Sequence, residues 1–474
     1  MKIFLCNPPT GFFIRDERCQ IDVKSRLAEN IREPVQILYL AGLLQKQGHD
    51  VFFRDYSASH LSIKDALLDV NSFMPDLFYL ETTQGTFSND LSFIKKIDEN
   101  NKNLEFIVKA PFLDYDYLKK RIEHTNFSSH KKIYFLTRNF ENSIISILFG
   151  NVQKVNHAYI LSDNIISKPN ESMSDDDFDM DSYVSPPRYF LNKTDYICPD
   201  TCEPIAYIYT SKGCPYDCIF CAAPTYLGKK VLVRSVASII SEIIECVHKY
   251  RINNFFFRSD TFTFNKKWVM DFCKCIEKEN LKIRWGTNSR ADKGDKEMFA
   301  AMKSAGCDIL GIGIESGSSK ILKAIKKGIT TDDIIHVNNL IKDSGMRTFF
   351  HCIIGFPWDD HDTISETSRF IQKLEPDFVE INVPYPLKGT ELYDIASNNS
   401  LFVSNDLEAY SHVKPILRTF HLNEKEVGSL RKKLIASFYL RPKYIIKSLK
   451  RAKNPKVFLN YVKWGCMLIR KVVF

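Results

Sequence analysis

The sequence that decides the fold reads Gly213-Cys214-Pro215-Tyr216-Asp217-Cys218-Ile219-Phe220-Cys221. Its three cysteines have the spacing C-x3-C-x2-C. Three thiolates this close together can hold three corners of a [4Fe–4S] cluster, whereas electron-transfer clusters usually take four cysteines. A metal site that lacks one protein ligand keeps a position open for a substrate or cofactor. The stretch therefore predicts an iron–sulfur site with one open iron and with Cys214, Cys218 and Cys221 as ligands.

Three other interpretations of these cysteines stay open. The chain has 13 Cys in 474 residues, so the triplet could be a chance cluster. Zinc would need a fourth Cys or His at similarly short spacing, and none follows closely. Cys198 and Cys202 form a further C-x3-C just upstream, and one of them could complete a four-ligand electron carrier.

The composition is that of a globular protein of two or three domains, with 44% hydrophobic residues. The N-terminal run Met1–Cys6 turns polar at Asn7 and is too short for a signal-peptide core. No apolar stretch approaches the length of a membrane span. We therefore expect a cytoplasmic protein in which most cysteines are reduced.

A series of apolar strands, separated by helical segments, runs through residues 205–400 and begins just before the cysteines. The predicted strands are Ile205–Tyr209, Asn254–Phe257, Ile283–Gly286, Leu310–Ile314, Thr348–Ile354 and Phe378–Val383. Repeated βα units predict a partial (β/α)6 TIM-like barrel, and functional residues in such barrels follow the carboxyl ends of the strands. Polar or glycine-rich runs occur at those places in this sequence.

These runs resemble the motifs of the radical S-adenosylmethionine (SAM) superfamily. The resemblance rests on the cysteine loop, with the aromatic Phe220 before its last cysteine, and on the strand ends Trp285–Arg290, Gly311–Ser318 and Ile354–Pro357. It implies a [4Fe–4S] cluster whose open iron binds SAM, and an external electron donor. An electron from the cluster cleaves SAM to a 5′-deoxyadenosyl radical, which acts on an unactivated C–H bond.

The resemblance also implies cofactor contacts. Asp260 would receive the SAM amino group, although it could instead cap a helix near Asn265. Arg290 would pair with the SAM carboxylate, with Glu315 or within a structural ion pair. Glu315 would hydrogen-bond SAM. Phe220 lies beside the cluster, and Gly355 either lines the adenine pocket or forms a plain turn. The resemblance assigns no catalytic residue.

Residues 1–165 predict a doubly wound, Rossmann-like α/β domain. Its predicted strands are Lys2–Cys6, Val51–Phe53, Leu77–Leu80, Phe106–Val108 and Ile133–Leu136, with a helix over 34–47 that ends at Gly48. Asn7-Pro8-Pro9, Leu38–Leu44 and Pro75–Leu77 resemble the cobalamin (B12)-binding domain that precedes the radical SAM domain in one large family. The domain is therefore a candidate for cobalamin binding.

Two turns depart from that family's pattern. Lys109-Ala110-Pro111-Phe112 replaces a Gly-Gly-x-His-like turn, and Thr137–Glu141 replaces a Gly-Glu-x-Glu-like turn. Glycine lets a backbone approach a ligand closely. A working cobalamin site and a degenerate domain kept for packing both stay open.

A linker is predicted over 166–204, from the acidic run Ser174–Asp177 and from Ser185-Pro186-Pro187. Residues 401–474 predict a helical region. Its last part, 431–474, holds 13 Lys or Arg and no Asp or Glu, so the preceding residues carry a net charge of −5 out of a total of +8. This tail could contact an anionic membrane or a phosphorylated substrate, or be a solvated helical cap. No nucleic acid partner is expected.

The sequence thus predicts a radical SAM enzyme, most simply a cobalamin-dependent methyltransferase. The alternatives are a cobalamin-independent cyclisation, rearrangement or oxidation, or a non-catalytic relative that serves as a binding partner. The substrate would be a small molecule, a lipid, a glycan or a natural-product precursor, which fold resemblance does not distinguish.

Overall fold

The computed structural model describes residues 1–15, 21–23, 31–127, 131–155, 157–169, 178–404, 406–409, 411–452 and 454–473. The acidic run predicted at 174–177 lies outside these ranges. The described chain forms two compact units. The first contains residues 1–23, 31–195 and 226–228, and the second contains 196–225 and 229–474, within the described ranges. The four-segment division by sequence stays a prediction.

The first unit contains a seven-stranded sheet with the order β2-β1-β3-β4-β5-β6-β7. Its strands are β1 (Lys2–Asn7), β2 (Asp50–Asp55), β3 (Leu77–Glu81), β4 (Glu105–Lys109), β5 (Ile133–Leu136), β6 (Ala158–Ser162) and β7 (Ile165–Ser167). The first five are parallel and have the order of a doubly wound fold. Their residues are mostly buried on both faces, which explains why the strands read as continuous apolar runs.

Five helices follow the five parallel strands of this sheet, and the last of them leads to the antiparallel strand β6. They are Val35–Lys46, Ile63–Phe73, Phe87–Asn100, Tyr115–His124 and Phe140–Leu148. The helix predicted over 34–47 is confirmed, and Gly48 follows it with a left-handed φ of 85°. The hairpin β6–β7 at the sheet edge is an addition to the predicted strands. Its turn residues Asp163 and Asn164 have φ values of 50° and 63°, as a type I′ turn requires.

The second unit contains six parallel strands, each paired with the next along the chain. They are β8 (Glu203–Tyr209), β9 (Asn254–Arg258), β10 (Arg284–Ser289), β11 (Cys307–Glu315), β12 (Arg347–Ile353) and β13 (Phe378–Asn382). The short strand Ile197–Cys198 pairs antiparallel with the free edge of β8. The six strands curl into a half-barrel, which confirms the predicted (β/α)6 fold.

The half-barrel sheet is covered by helices from its βα units. These helices are Val236–His248, Lys266–Lys278, Lys296–Ser304, Ser319–Ala324, Thr331–Asp343, His361–Leu374 and Glu391–Asn398. Trp285 on β10 is 1% exposed, contacts the rings of Phe257, Phe262 and Phe272, and donates its indole N–H to Ala305 O at 2.8 Å. A buried aromatic with its polar atom satisfied stabilises this region strongly.

Three helices end the second unit: Glu424–Tyr439, Pro442–Arg451 and Pro455–Val473. Leu434 and Phe438 are buried on the first of them, and Val457 and Leu468 on the last. The helical C-terminal region that the sequence predicts is therefore confirmed. Among the helices of the described residues, none is long and apolar enough to cross a membrane.

Candidate active site

The cysteine loop follows the carboxyl end of β8, and its middle is anchored in the core of the second unit. Ile219 is 2% exposed. Its N–H donates to Ile325 O at 3.2 Å, and its carbonyl accepts from Leu392 N at 2.9 Å. The Phe220 ring lies 5.5 Å from that of Phe356. The anchored Ile219 and Phe220 lie between Cys218 and Cys221, and all three cysteines are partly exposed. The backbone therefore holds Cys218 and Cys221 close to the surface of the unit instead of burying them.

Arg290, at the end of β10, lies beside the loop. Its guanidinium stacks 3.6 Å from the centre of the Tyr216 ring. Its Nε donates to Asp292 Oδ1 at 2.9 Å, and Nη2 donates to Lys327 O at 3.0 Å. Burial alone would lower the pKa of Arg290, but Asp292 and the Cys218 thiol raise it above its usual value. Arg290 is therefore a fixed cation next to Cys218.

A second cation, Lys327, is buried near the same thiol. Its Nζ lies 2.6 Å from Glu315 Oε1, and both side chains are 8% exposed. Burial alone would lower the pKa of Lys327, but the Glu315 carboxylate and the Cys218 thiol raise it above its usual value. Lys327 also lies over the Phe220 ring at 5.9 Å. The pair places an ammonium group between the β11 carboxylate and the cysteine loop.

The donor set and its charges fit an iron–sulfur cluster. A cluster held by three thiolates is an anion, and the cations Arg290 and Lys327 would stabilise it. Among the described residues, no group of three His, Cys, Asp or Glu side chains is arranged around one metal ion. In a cluster each thiolate binds a different iron, so the thiols need not converge on one point.

The alternative of a four-ligand carrier that uses Cys198 or Cys202 is wrong. Cys198 pairs with Glu203, at the amino end of β8, whereas Cys214 follows its carboxyl end. The seven residues of that strand span about 20 Å. Cys198 and Cys202 therefore lie at the amino end of β8, whereas the cysteine loop lies at its carboxyl end.

Glu315 takes its position from an irregularity at the end of β11. The register with β12 shifts between Gly313 and Glu315, and Glu315 has a left-handed φ of 58°. Such a conformation costs a non-glycine residue about 1–3 kcal/mol and is typical of functional sites. A Cβ on Gly313 would lie 2.5 Å from Glu315 Oε1 and 3.0 Å from Lys327 Nζ. The glycine therefore leaves room for the buried pair.

Arg290 and Glu315 thus have partners other than each other. Sequence alone left an Arg290–Glu315 ion pair open; in the structure Asp292 takes the arginine and Lys327 takes the glutamate. Lys327 is the residue whose importance the sequence did not reveal. It lies in the run Lys326-Lys327-Gly328, which fits the family pattern, but its partner is 12 residues away on another element.

Asp260 follows β9 in the sequence Arg258-Ser259-Asp260. The Ser259 hydroxyl lies 2.7 Å from that of Ser211, which ties this strand end to the start of the cysteine loop. The alternative role of Asp260 as a helix cap is wrong, because Asn265 itself caps the helix Lys266–Lys278 by accepting from Trp268 N at 3.1 Å. Its contact with SAM stays a prediction.

Gly355 begins a turn after β12 that is held in place by contacts with Val427 and Asp359. It has a φ of 94°, and a Cβ there would lie 2.7 Å from Val427 Cγ1. The N–H groups of Gly355 and Phe356 donate to Asp359 Oδ2 at 2.8 and 3.0 Å. Burial raises the pKa of Asp359 to about 6. The turn is rigid, its two amides are already satisfied, and the role of Gly355 at adenine stays a prediction.

The first unit has a different arrangement at the carboxyl ends of its strands. Lys109, in the first altered turn, contacts Glu81 Oε1 at 3.2 Å and Gln36 Oε1 at 2.9 Å, and lies 4.5 Å from the ring centre of Phe140 in the second altered turn. The two departures from the glycine pattern therefore pack against each other. These side chains do not reproduce the glycine turns, so we assign none of them to a cobalamin contact.

A second ion pair lies nearby in the same unit. Arg15 Nη1 contacts Asp90 Oδ2 at 2.8 Å, with side chains 2% and 1% exposed. Asp90 also accepts from the Thr86 hydroxyl at 2.7 Å and from the Thr82 hydroxyl. Arg15 and Lys109 thus each contact a buried carboxylate of the same unit.

Comparison with known proteins agrees with this geometry. Residues 208–371 match the family model of the radical SAM superfamily. The chain is 28% identical over 456 residues, 95% of each protein, to an uncharacterized methyltransferase of Pyrococcus horikoshii. It is 22% identical over 424 residues to the anaerobic magnesium-protoporphyrin IX monomethyl ester cyclase of Cereibacter sphaeroides, covering 83% of this chain and 65% of that protein.

Among solved structures, the chain is similar to the cobalamin-dependent SAM radical enzyme OxsB determined with aqua-cobalamin and SAM. The TM-score is 0.72 at 16% identity, over 99% of this chain and 72% of that one. At this identity the likeness shows a shared fold over the whole length of the chain.

Proposed function

Because residues 208–371 belong to the radical SAM superfamily, we propose that this protein binds a [4Fe–4S] cluster and cleaves SAM reductively. The observation that carries the proposal is the position of Arg290 and Lys327 over two rings of the cysteine loop, Tyr216 and Phe220, at 3.6 and 5.9 Å. When bound, the cluster supplies one electron to SAM, which yields methionine and a 5′-deoxyadenosyl radical. Protein groups around such cofactors bind, orient and exclude water.

We assign the following roles to residues of this chain. Cys214, Cys218 and Cys221 hold three irons. Lys327 neutralises and positions Glu315, so that this carboxylate can accept from SAM without carrying an uncompensated buried charge.

The remaining proposed contacts are with polar groups of SAM. Arg290, fixed on Tyr216 and Asp292, faces the SAM carboxylate, and Asp260 faces its amino group. Gly355 lines the adenine site.

We propose methyl transfer to an unactivated carbon as the overall reaction, with cobalamin as the methyl carrier. Two likenesses support it: the Pyrococcus horikoshii relative is named a methyltransferase, and OxsB, which shares the fold, is cobalamin-dependent. The substrate would be a small molecule, a lipid or a natural-product precursor, and the enzyme would work in the cytoplasm with an external electron donor.

A cobalamin-independent reaction is the second candidate function. The packing of Lys109 on Phe140 fills both altered turns with side chains, and the Cereibacter sphaeroides relative is named a cyclase. A ring closure or oxidation driven by the deoxyadenosyl radical needs no methyl carrier.

The test is anaerobic purification with iron and cobalamin supplied, followed by a 5′-deoxyadenosine assay on reduced protein with SAM. Cys218→Ser should abolish product and lower bound iron. Cys275→Ser, which removes another partly exposed thiol, is the matched control and should do neither. The absorbance of the same sample reports cobalamin: bound cobalamin supports methyl transfer, and its absence from an active sample supports the second candidate. A fully loaded cluster that never cleaves SAM, with or without candidate substrates, would point to the non-catalytic relative.

A further inference from the structure

The last helix, Pro455–Val473, exposes an apolar face. Phe458, Leu459, Val462 and Ile469 are 40%, 66%, 42% and 42% exposed, and Cys466 is exposed as well. At about 100° per residue these five side chains fall within one arc of about 100°. Exposed apolar residues scattered singly are ordinary, but a continuous apolar stripe marks an interaction surface.

A row of cations borders this apolar face. Lys456, Lys463 and Arg470 are exposed and recur every seven residues, so they lie along one side of the helix, next to the apolar arc. A cationic border beside an apolar stripe is typical of helices that lie in a membrane interface.

The opposite face of the helix is fixed to the second unit. The Tyr461 hydroxyl donates to Asp200 Oδ1 at 2.9 Å, and Asn460 Nδ2 donates to Pro199 O at 2.9 Å. Val457 and Leu468 are buried. The helix is therefore held so that the apolar face with its cationic border points outward.

The preceding helix, Pro442–Arg451, is tethered in the same way. Lys447 and Arg451 contact Asp377, and the Tyr444 hydroxyl donates to Asp377 O at 2.9 Å. These inward contacts leave Ile445 and Ile446 at 42% and 53% exposure. Lys447 and Arg451 thus share the single carboxylate of Asp377, whereas Lys456, Lys463 and Arg470 on the last helix are exposed.

We propose that the outward face of Pro455–Val473 docks on an anionic lipid bilayer, with its apolar side chains in the interface and its cations on lipid phosphates. Charge selects this occupant. Two copies of the chain would bring like charges together, since residues 431–474 contain no acidic residue. A nucleic acid would match the cations but leave the apolar arc in water. The proposal does not depend on the radical chemistry.

Vesicle flotation of the full-length, cluster-loaded protein tests the proposal without turnover. The protein should float with mixed phosphatidylcholine–phosphatidylglycerol vesicles and stay behind with pure phosphatidylcholine, and added salt should release it. Lys456→Gln/Lys463→Gln/Arg470→Gln should weaken binding roughly fivefold per charge, on the order of 100-fold in all. Leu459→Glu should abolish it.

Matched controls show whether binding depends on the outward face of Pro455–Val473 or on any exposed leucine or lysine of the protein. Leu68→Glu changes a leucine of similar exposure, 60%, in the first unit, and Lys274→Gln/Lys278→Gln/Lys282→Gln removes the same charge from exposed sites of the second unit. Both should float like the unchanged protein. Equal flotation with neutral vesicles, flotation that survives Leu459→Glu, or no flotation at all would overturn the proposal. So would a dimer in sedimentation velocity that Leu459→Glu dissociates, because a second copy would then cover the face.

Discussion

The two parallel sheets of this protein use buried charge in opposite ways at their carboxyl edges. In the first unit, Arg15 and Lys109 are matched by Asp90 and Glu81. In the second unit, Arg290 and Lys327 have acidic partners too, but both also lie over rings of the cysteine loop, Tyr216 and Phe220. The two cations of the first edge contact acidic side chains of the same edge, whereas those of the second edge also contact the predicted ligand loop.

The two edges also differ in side-chain size: the first has large side chains at its turns, and the second has glycines. The second edge has glycine at 311 and 313, where a Cβ would strike Asn288 Oδ1 at 2.3 Å or Glu315 Oε1 at 2.5 Å. The first edge has Lys109 and Phe140 at its altered turns. Parallel sheets offer ligand sites at their carboxyl ends as a consequence of topology. A particular sheet can bind a ligand there only if the side chains at its carboxyl ends leave space for the ligand and can interact with its charge.

The largest expected effect comes from removing the lysine at each edge. Lys327→Met leaves the Glu315 carboxylate buried without its partner, which should lower the free energy of unfolding by about 3–5 kcal/mol. It should also lower bound iron, because Cys218 loses a stabilising cation. Lys109→Met should destabilise the protein but leave bound iron unchanged. Denaturant unfolding and iron analysis measure both.

A double variant separates charge from packing in that experiment. Lys327→Met/Glu315→Gln restores neutrality and should regain most of the stability, while deoxyadenosine formation stays low. Equal loss of iron from the Lys109→Met and Lys327→Met proteins would remove the distinction between the edges.

The next effect is a pH dependence at the second edge. Burial raises the pKa of Asp359 from 3.8 to about 6, so the folded state binds the proton more tightly than the unfolded state. The resulting stabilisation is full below about pH 4 and is lost as the pH rises to about 6, by about 3 kcal/mol in all. Asp359→Asn should remove that slope. Unfolding free energies of both proteins between these pH values check it, and parallel curves would contradict it.

A smaller effect is expected from filling the space at Gly313. Gly313→Ala should push Glu315 away from Lys327 at a cost of about 1–3 kcal/mol and reduce deoxyadenosine formation at least tenfold. Gly465→Ala, in a helix with nothing within 4 Å of the added Cβ, should stabilise the protein by about 0.5–1 kcal/mol. Thermal unfolding and the SAM cleavage assay distinguish the two. Unchanged cleavage by Gly313→Ala would show that the pair need not be kept intact.

The smallest effect concerns the ring beneath Arg290. Tyr216→Leu removes a cation–π contact worth about 0.5–2 kcal/mol and should raise the KM for SAM several-fold. Tyr216→Phe keeps the ring and should behave like the unchanged protein. If both substitutions shift KM alike, the phenol hydroxyl and not the ring positions Arg290.

The predicted strands agree with the observed ones wherever apolar residues run continuously, as in Leu310–Ile314 within Cys307–Glu315. Burial on both faces makes such strands readable from local sequence. The strand predicted over Ile283–Gly286 runs from Arg284 to Ser289 in the structure, because Asn288 and Ser289 pair with β11 in spite of their polarity. The β6–β7 hairpin was missed, although Asp163-Asn164 is a turn signal.

The candidate site could be predicted from the sequence only for residues that lie in short recognisable motifs. The cysteines, Glu315 and Arg290 each lie in a recognisable local run, and contacts through Tyr216 and Lys327 connect them. The pairings could not be predicted. Lys327 meets Glu315 across 12 residues and two different elements. Asp292 is only two residues from Arg290, but their pairing depends on how the chain turns after β10. The role of Asp359 could not be predicted either, because two of its three donors are the backbone amides of Gly355 and Phe356, which carry no sequence signal.

The two cations beside Cys218 also bear on how readily an electron can enter the site. Positive charge lowers the energy of the more negative member of a redox couple, and the charge around an iron–sulfur cluster is one of the factors that set its reduction potential. A cluster held next to Arg290 and Lys327 would have a higher midpoint potential than the same cluster without them. A weaker reductant could then serve as its donor, so one lysine and one arginine would help to decide which electron donors can reduce such a cluster.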